Sequence, residues 1–208
     1  MRHIKQLGTP FHFKRALDFG CGIGRLTQAL AGGRFAEAHG VDVSPEMIHM
    51  ARKYNHFPDT CMYHASADNA LAIFPDGYFD FIYSKITLQH IRPEYSLRYL
   101  ERFADLLAKN GILYFQLTSE PTELLSPKTA YQKIKSIVPK AVNEFLRDLK
   151  YRNRGRIDVY GVPKDDIINL LERNGLTLIQ AIADNCAGPN WNSFTYCFIK
   201  RINQTRTS

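Results

Sequence analysis

The sequence predicts an α/β fold with a parallel sheet and crossover helices, and three observations carry that prediction. Short apolar runs alternate with segments of helical periodicity along most of the 208 residues, as parallel strands joined by helices require. The run Leu17-Asp18-Phe19-Gly20-Cys21-Gly22-Ile23-Gly24-Arg25 reads as a buried strand that breaks into a glycine loop and then a helix. Gly20 and Gly22 permit a tight turn with positive φ, and their missing Cβ atoms let a ligand approach the main chain. Eighteen residues beyond Gly24 the next apolar stretch ends on Val41-Asp42-Val43, about where a nucleotide-binding βαβ unit places the acid that takes ribose hydroxyls. These features point to a ligand containing a nucleoside.

In order along the chain, strands are expected at 16–19, 38–42, 61–64, 79–84, 112–117, 177–182 and 194–200. After the glycine loop Leu26, Ala29 and Leu30 share a helical face, Gly32-Gly33 stops the helix, and its amino end aims at the ligand. The next helix has Ser44 as N-cap, Pro45 at its first position, Glu46 in its first turn and an apolar face of Met47, Met50, Ala51 and Tyr54. Leu97, Leu100, Phe103, Ala104 and Leu107 repeat the helical period, with Asn110-Gly111 as the expected stop. A last helix is expected over 163–174, with Ile167, Leu170 and Leu171 inward. Gly188-Pro189-Asn190-Trp191-Asn192-Ser193 reads as the loop between the last two strands and carries the only tryptophan, either against a pocket or over a small satellite core.

Residues 119–160 form an insertion too long for a plain connector. Tyr131, Ile134 and Val138 suggest one amphipathic helix in it, and Val142, Phe145, Leu146 and Leu149 a second. Its surplus of lysine and arginine, including Lys133, Lys140, Arg147 and Lys150, is expected to face water while the apolar face lies over the sheet as a lid.

Size and composition set outer bounds. The length suits a single domain over 1–208, and 45% hydrophobic with 23% charged residues is ordinary for a globular protein. No apolar run approaches the ~20 residues that span a bilayer, and Met1-Arg2-His3-Ile4-Lys5 lacks the apolar core of a secretory signal, so a cytoplasmic location is expected. Cys21, Cys61, Cys186 and Cys197 are widely separated, with no paired spacing for zinc or disulfides, and no metal site is expected. The net charge of +7 fits an anionic partner or mere solubility.

The glycine spacing narrows the ligand. A dinucleotide fingerprint would place a third glycine or alanine at position 25, where Arg25 stands, and the pattern is GxGxG. Leu17-Asp18-Phe19-Gly20-Cys21-Gly22-Ile23-Gly24 resembles the first motif of the class I S-adenosylmethionine-dependent methyltransferases, of the small-molecule, methyltransferase type 11/25-like kind. Gly40-Val41-Asp42-Val43-Ser44-Pro45-Glu46-Met47 is similar to the second motif of that family, and Ala67-Asp68 with 74–82 to the third and fourth. Leu88-Gln89-His90-Ile91 and 106–113 resemble the parts that follow strand four and close the core, so the likeness covers roughly 14–118 in order.

The resemblance implies a Rossmann-like doubly wound seven-stranded sheet of order 3-2-1-4-5-7-6 with the last strand antiparallel, and S-adenosylmethionine as cofactor. It implies that Asp18, Gly20, Cys21, Gly22 and Gly24 hold the methionine end, with Asp18 orienting the ammonium, and that Asp42 takes the ribose hydroxyls. Val43 and Met47 would lie along ribose and adenine, Met47 being equally at home in the core. Asp68 would accept from the adenine amine, flanked by Ala67 and by the Asn69 backbone. Ser84 and Lys85, through their backbone, end the strand where cofactor and acceptor meet. His90 is the candidate general base, with a purely structural role as its alternative.

The expected activity is methyl transfer to oxygen or nitrogen of a small-molecule acceptor. Ser84-Lys85-Ile86-Thr87 departs from the Asp/Asn-Pro-Pro-aromatic run of enzymes that methylate base amines, and no Pro-Cys nucleophile is present. Two other readings stay open, an RNA or protein methyltransferase suggested by the basic insertion, and a cofactor-binding subunit without catalysis. The family usually carries helices before its first strand, for which 1–14 leave little room, so the cover must come from a segment outside this sequence or from the insertion.

Overall fold

The computed structural model describes residues 12–66, 71–122 and 158–201. Seven strands form one sheet: β1 (Arg15–Phe19), β2 (Glu37–Asp42), β3 (Cys61–Ala65), β4 (Phe79–Ser84), β5 (Leu107–Pro121), β6 (Leu176–Asp184) and β7 (Trp191–Lys200). Their order is β3-β2-β1-β4-β5-β7-β6. The first five run parallel, and β7 lies antiparallel between β5 and β6. This is the Rossmann-like doubly wound sheet expected above.

Alternating side chains serve two helical layers. Leu17, Ile82, Leu113 and Phe115 join Leu100 and Phe103 of α3 (Pro93–Leu106) and Ile167 and Leu171 of α4 (Lys164–Arg173) in the main core. The other face packs Ala16, Ala38, Phe81 and Ile112 beneath α1 (Arg25–Gly32) and α2 (Pro45–Lys53). The order of the sheet leaves β1 and β4 adjacent while their following connections go to opposite faces, and a crevice opens at their carboxyl ends.

The caps follow sequence. Ser44 accepts the Met47 N–H through its hydroxyl at 3.2 Å, Pro45 fills the first turn, and Arg52 and Lys53 meet the negative helix end. Three local expectations are corrected. The buried residues of α2 are Ile48 and Ala51, while Met47, Met50 and Tyr54 stay exposed, because this nine-residue helix lays only a narrow strip on the sheet. Helix α3 ends at Leu106, and Asn110-Gly111 lies within β5, where the pairing with β4 shifts register and Asn110 has φ +63°. Trp191 begins β7 opposite Pro121 and is not in the preceding loop. The two amphipathic helices expected in the insertion fall in 123–157, outside the described residues. Among the described residues no helix is long and apolar enough to cross a membrane.

Candidate functional site

A cleft of about 660 Å³ lies at the carboxyl ends of β1, β2 and β4. Phe19 and Gly20 line it from the first, Val41, Asp42 and Val43 from the second, and Ile86, Thr87 and His90 from the chain leaving the third. Ser66 closes the β3 side, and Tyr95 and Tyr99 contribute from α3.

The glycine loop is shaped by what surrounds it. Gly20, Gly22 and Gly24 have φ of +77°, +53° and +80°, conformations that side-chain-bearing residues resist. A Cβ on Gly20 would overlap Thr87, and one on Gly24 would overlap Tyr63. At Gly22 a Cβ would meet nothing, so this glycine leaves open space above the loop. The amides of Gly20 and Cys21 donate to the Val41 carbonyl at 2.8 and 3.0 Å, and that of Gly24 donates to the Cys21 carbonyl at 3.0 Å. With these donors engaged, the loop offers bare Cα surface to a ligand.

Asp42 fastens the loop to α2. One carboxylate oxygen accepts the Gly22 N–H at 2.9 Å and the other accepts the Ser44 N–H at 2.9 Å. A carboxylate has about four acceptor positions, so each oxygen keeps one for a ligand hydroxyl. The spacing in sequence singles out this residue as a candidate, but not its hold on both backbones.

Asp18 lies beneath the loop, 3% exposed, and accepts the Thr27 hydroxyl at 2.8 Å. Burial pushes its carboxyl up to about 6, against the opposing Thr27 hydrogen bonds and with the help of the Asp42 charge. The Cys21 thiol is pushed well upward by burial and by Asp18 and Asp42, so it stays a thiol and packs beside α2.

The remaining sequence candidates divide. Val43 is 69% exposed in the cleft wall, whereas Met47, on α2, lines neither that wall nor the core. Ser84 and Lys85 line a separate groove of about 430 Å³ between α1 and the sheet, beside Phe81, Tyr83 and Tyr114. The Ser84 hydroxyl is buried without a hydrogen-bond partner among the described residues. Ala67, Asp68 and Asn69 lie outside the described residues, and Ser66, just before them, sits at the cleft with its N–H on the Asp42 carbonyl at 3.0 Å.

His90 ends a 3-10 turn, Leu88–His90, and both its ring nitrogens are engaged. Nδ1 lies 2.9 Å from the Asp158 carbonyl and Nε2 lies 3.1 Å from the Gln89 amide. A carbonyl only accepts, so Nδ1 carries the hydrogen and Nε2 accepts from Gln89. Gln89, Gln116 and Thr87 were not singled out from sequence. The one signal for Gln116 was a lone amide in the apolar run Ile112-Leu113-Tyr114-Phe115-Gln116-Leu117.

Comparison with known proteins bears on the family and the fold. The model of a family described as methyltransferase domain matches residues 1–181. A ubiquinone biosynthesis O-methyltransferase of Burkholderia multivorans is 25% identical over 166 residues, 79% of this chain and 68% of that protein. The chain spans only 59% of the Burkholderia ambifaria counterpart. Among solved structures, an S-adenosylmethionine dependent methyltransferase from Mesorhizobium loti superposes with a TM-score of 0.65 at 17% identity, covering 95% of this chain and 96% of that one. The magnesium protoporphyrin IX methyltransferase of Synechocystis, solved with bound SAH, gives 0.64 at 18% identity over 96% and 80%. At these identities the superpositions speak for the fold.

Proposed function

We propose, from the premise that this chain belongs to the methyltransferase domain family, that it transfers a methyl group from S-adenosylmethionine to oxygen or nitrogen of a small-molecule acceptor. The observation that carries the reading is Asp42, which ties the glycine loop to α2 at the cleft while keeping an acceptor position free on each oxygen. That arrangement suits a vicinal diol. The relatives named as O-methyltransferases support an acceptor of small-molecule size.

The residues divide the work by chemistry. Asp42 takes the ribose hydroxyls, and Val43 packs along the same part of the cofactor. Asp18 balances the cofactor's positive charge, and the open space at Gly22 admits it close to the main chain. Asp68, between Ala67 and Asn69, is the proposed partner of the adenine amine. S-adenosylmethionine supplies, when bound, a methyl carbon already activated by its sulfonium. The protein's task is then to hold the acceptor atom about 3–3.5 Å away and in line, and to keep water out. His90 can take a proton from a hydroxyl acceptor only by releasing the Gln89 amide from Nε2, whereas an amine that is neutral at the working pH needs no base.

The test is methyl-labelled S-adenosylmethionine incubated with the protein and a cell extract separated into metabolite, RNA and protein fractions. The label is expected in the metabolite fraction, with an equal amount of S-adenosylhomocysteine formed. Label in RNA instead, falling steeply as salt is raised, would replace the small-molecule reading with the nucleic-acid one.

A further inference from the structure

The chain leaving β4 contains a backbone conformation that its residue resists. Ile86 has φ +57°, and it is the one β-branched residue with positive φ among the described residues. Branching at Cβ makes the left-handed region especially unfavourable. Packing does not explain the conformation, since Ile86 is 47% exposed and lies in the cleft wall with Gly20, Asp42, Thr87 and His90.

A buried amide explains it. The Ile86 N–H donates to Gln116 Oε1 at 3.1 Å, and Gln116 is 1% exposed. Its Nε2 donates to Gln89 Oε1 at 2.9 Å and to the Ser193 hydroxyl at 2.6 Å. A backbone N–H can only donate, so it fixes which end of the Gln116 amide faces Ile86, and that in turn fixes Gln89 and the hydrogen on His90. Every link runs in one sense from the Ile86 N–H to the ring: Ile86 to Gln116, Gln116 to Gln89, Gln89 to His90 Nε2, and His90 Nδ1 to the Asp158 carbonyl. Rotating Gln116 would set donor against donor in a buried place, which is costly. Next along the chain, Thr87 is seated over the bare Cα of Gly20, so the strained residue is bracketed on its other side by the glycine loop.

We infer that Gln116 is a positioning residue that holds Ile86 in its strained conformation, so that the Ile86 side chain forms an apolar wall of the cofactor cleft. Backbone strain persists where the surroundings over-determine it and where function uses the result. The inference rests on reading this cleft as the S-adenosylmethionine site, and it adds residues that neither the glycine motif nor Asp42 includes.

The experiment combines thermal unfolding with calorimetry of S-adenosylhomocysteine on the intact chain and its Ile86→Gly, Ile86→Val and Gln116→Met variants. Ile86→Gly removes both the strain and the wall. Its unfolding midpoint is expected to hold or rise, by up to about 2–4 °C for a chain of this size, while affinity falls at least fivefold. Ile86→Val keeps the wall and should bind within twofold of the parent. Gln116→Met should weaken binding in the parent and add little in the Ile86→Gly background, because both changes act through one side chain. Should Gln116→Met fail to fold, the two Ile86 variants still decide. A lowered midpoint for Ile86→Gly would show that the side chain is there for packing, and unchanged affinity would show that it is no wall; either overturns the inference. If the parent binds no S-adenosylhomocysteine, the reading of the cleft fails and takes this one with it, whereas equal binding by parent and variants defeats this one alone.

Discussion

Asp42→Ala is expected to weaken cofactor binding by on the order of a hundredfold or more. Hydrogen bonds to a charged acceptor are worth about 1.5–3 kcal/mol each, and the carboxylate is proposed to take two from the ribose. The same change leaves the Gly22 and Ser44 N–H groups without their partner, so the glycine loop loosens as well. Asp42→Asn is expected to be almost as harmful. Both oxygens of Asp42 face backbone donors, and whichever way the asparagine turns, its NH2 meets an N–H. Calorimetry with S-adenosylmethionine checks both variants. A loss below threefold for Asp42→Ala would remove this residue from the site.

Asp18→Asn is expected to do two opposite things. Its carboxyl is raised from the ordinary 3.8 to about 6, chiefly by burial. A raised acid favours folding while protonated and loses that contribution as pH climbs through 6, so at neutral pH the buried charge costs about 3 kcal/mol. The asparagine keeps an acceptor for the Thr27 hydroxyl and carries no charge. The ligand-free variant should therefore be more stable than its parent at pH 7.5, by up to about 3 kcal/mol in urea unfolding, with the gap closing as pH falls toward 4. Binding moves the other way. A cationic cofactor favours the ionised form of Asp18, so the parent's affinity should fall by up to tenfold per unit below pH 6, and the variant's should stay flat and weaker. Parallel pH profiles for the two proteins would show that Asp18 does not sense the cofactor's charge.

Much of this architecture is legible in the sequence because each strand is a short apolar run with a clear stop. The runs ending at Phe19, Asp42 and Ser84 were bounded within a residue or two, since a glycine loop, an N-cap serine and a polar turn follow them. The sheet order came only from family likeness, since nothing local says that β7 inserts between β5 and β6. Leu107 opens β5 although the helical stripe places it in α3, because one leucine fits the end of a helical stripe and the start of a strand equally well. In α2 the methionines satisfied the helical period, yet the sheet accepted Ile48 and Ala51.

The site divides in the same way. Asp42 and the glycines announced themselves by spacing. Thr27 under Asp18, Thr87 over Gly20 and Gln116 behind Ile86 did not, for each acts across 9 to 67 positions of chain through a contact that only the folded sheet makes. His90 was visible as a histidine at the mouth, but its partners Gln89 and Asp158 decide what its nitrogens can do.

The cleft at the carboxyl ends of β1, β2 and β4 is the proposed site of S-adenosylmethionine. Titration calorimetry of the intact chain with S-adenosylhomocysteine and, separately, with NAD tests it most directly. Saturable binding of one S-adenosylhomocysteine per chain is expected, abolished or nearly so by Asp42→Ala, with no measurable binding of NAD. Equal affinity for the two nucleotides, or S-adenosylhomocysteine binding that ignores Asp42, would contradict it.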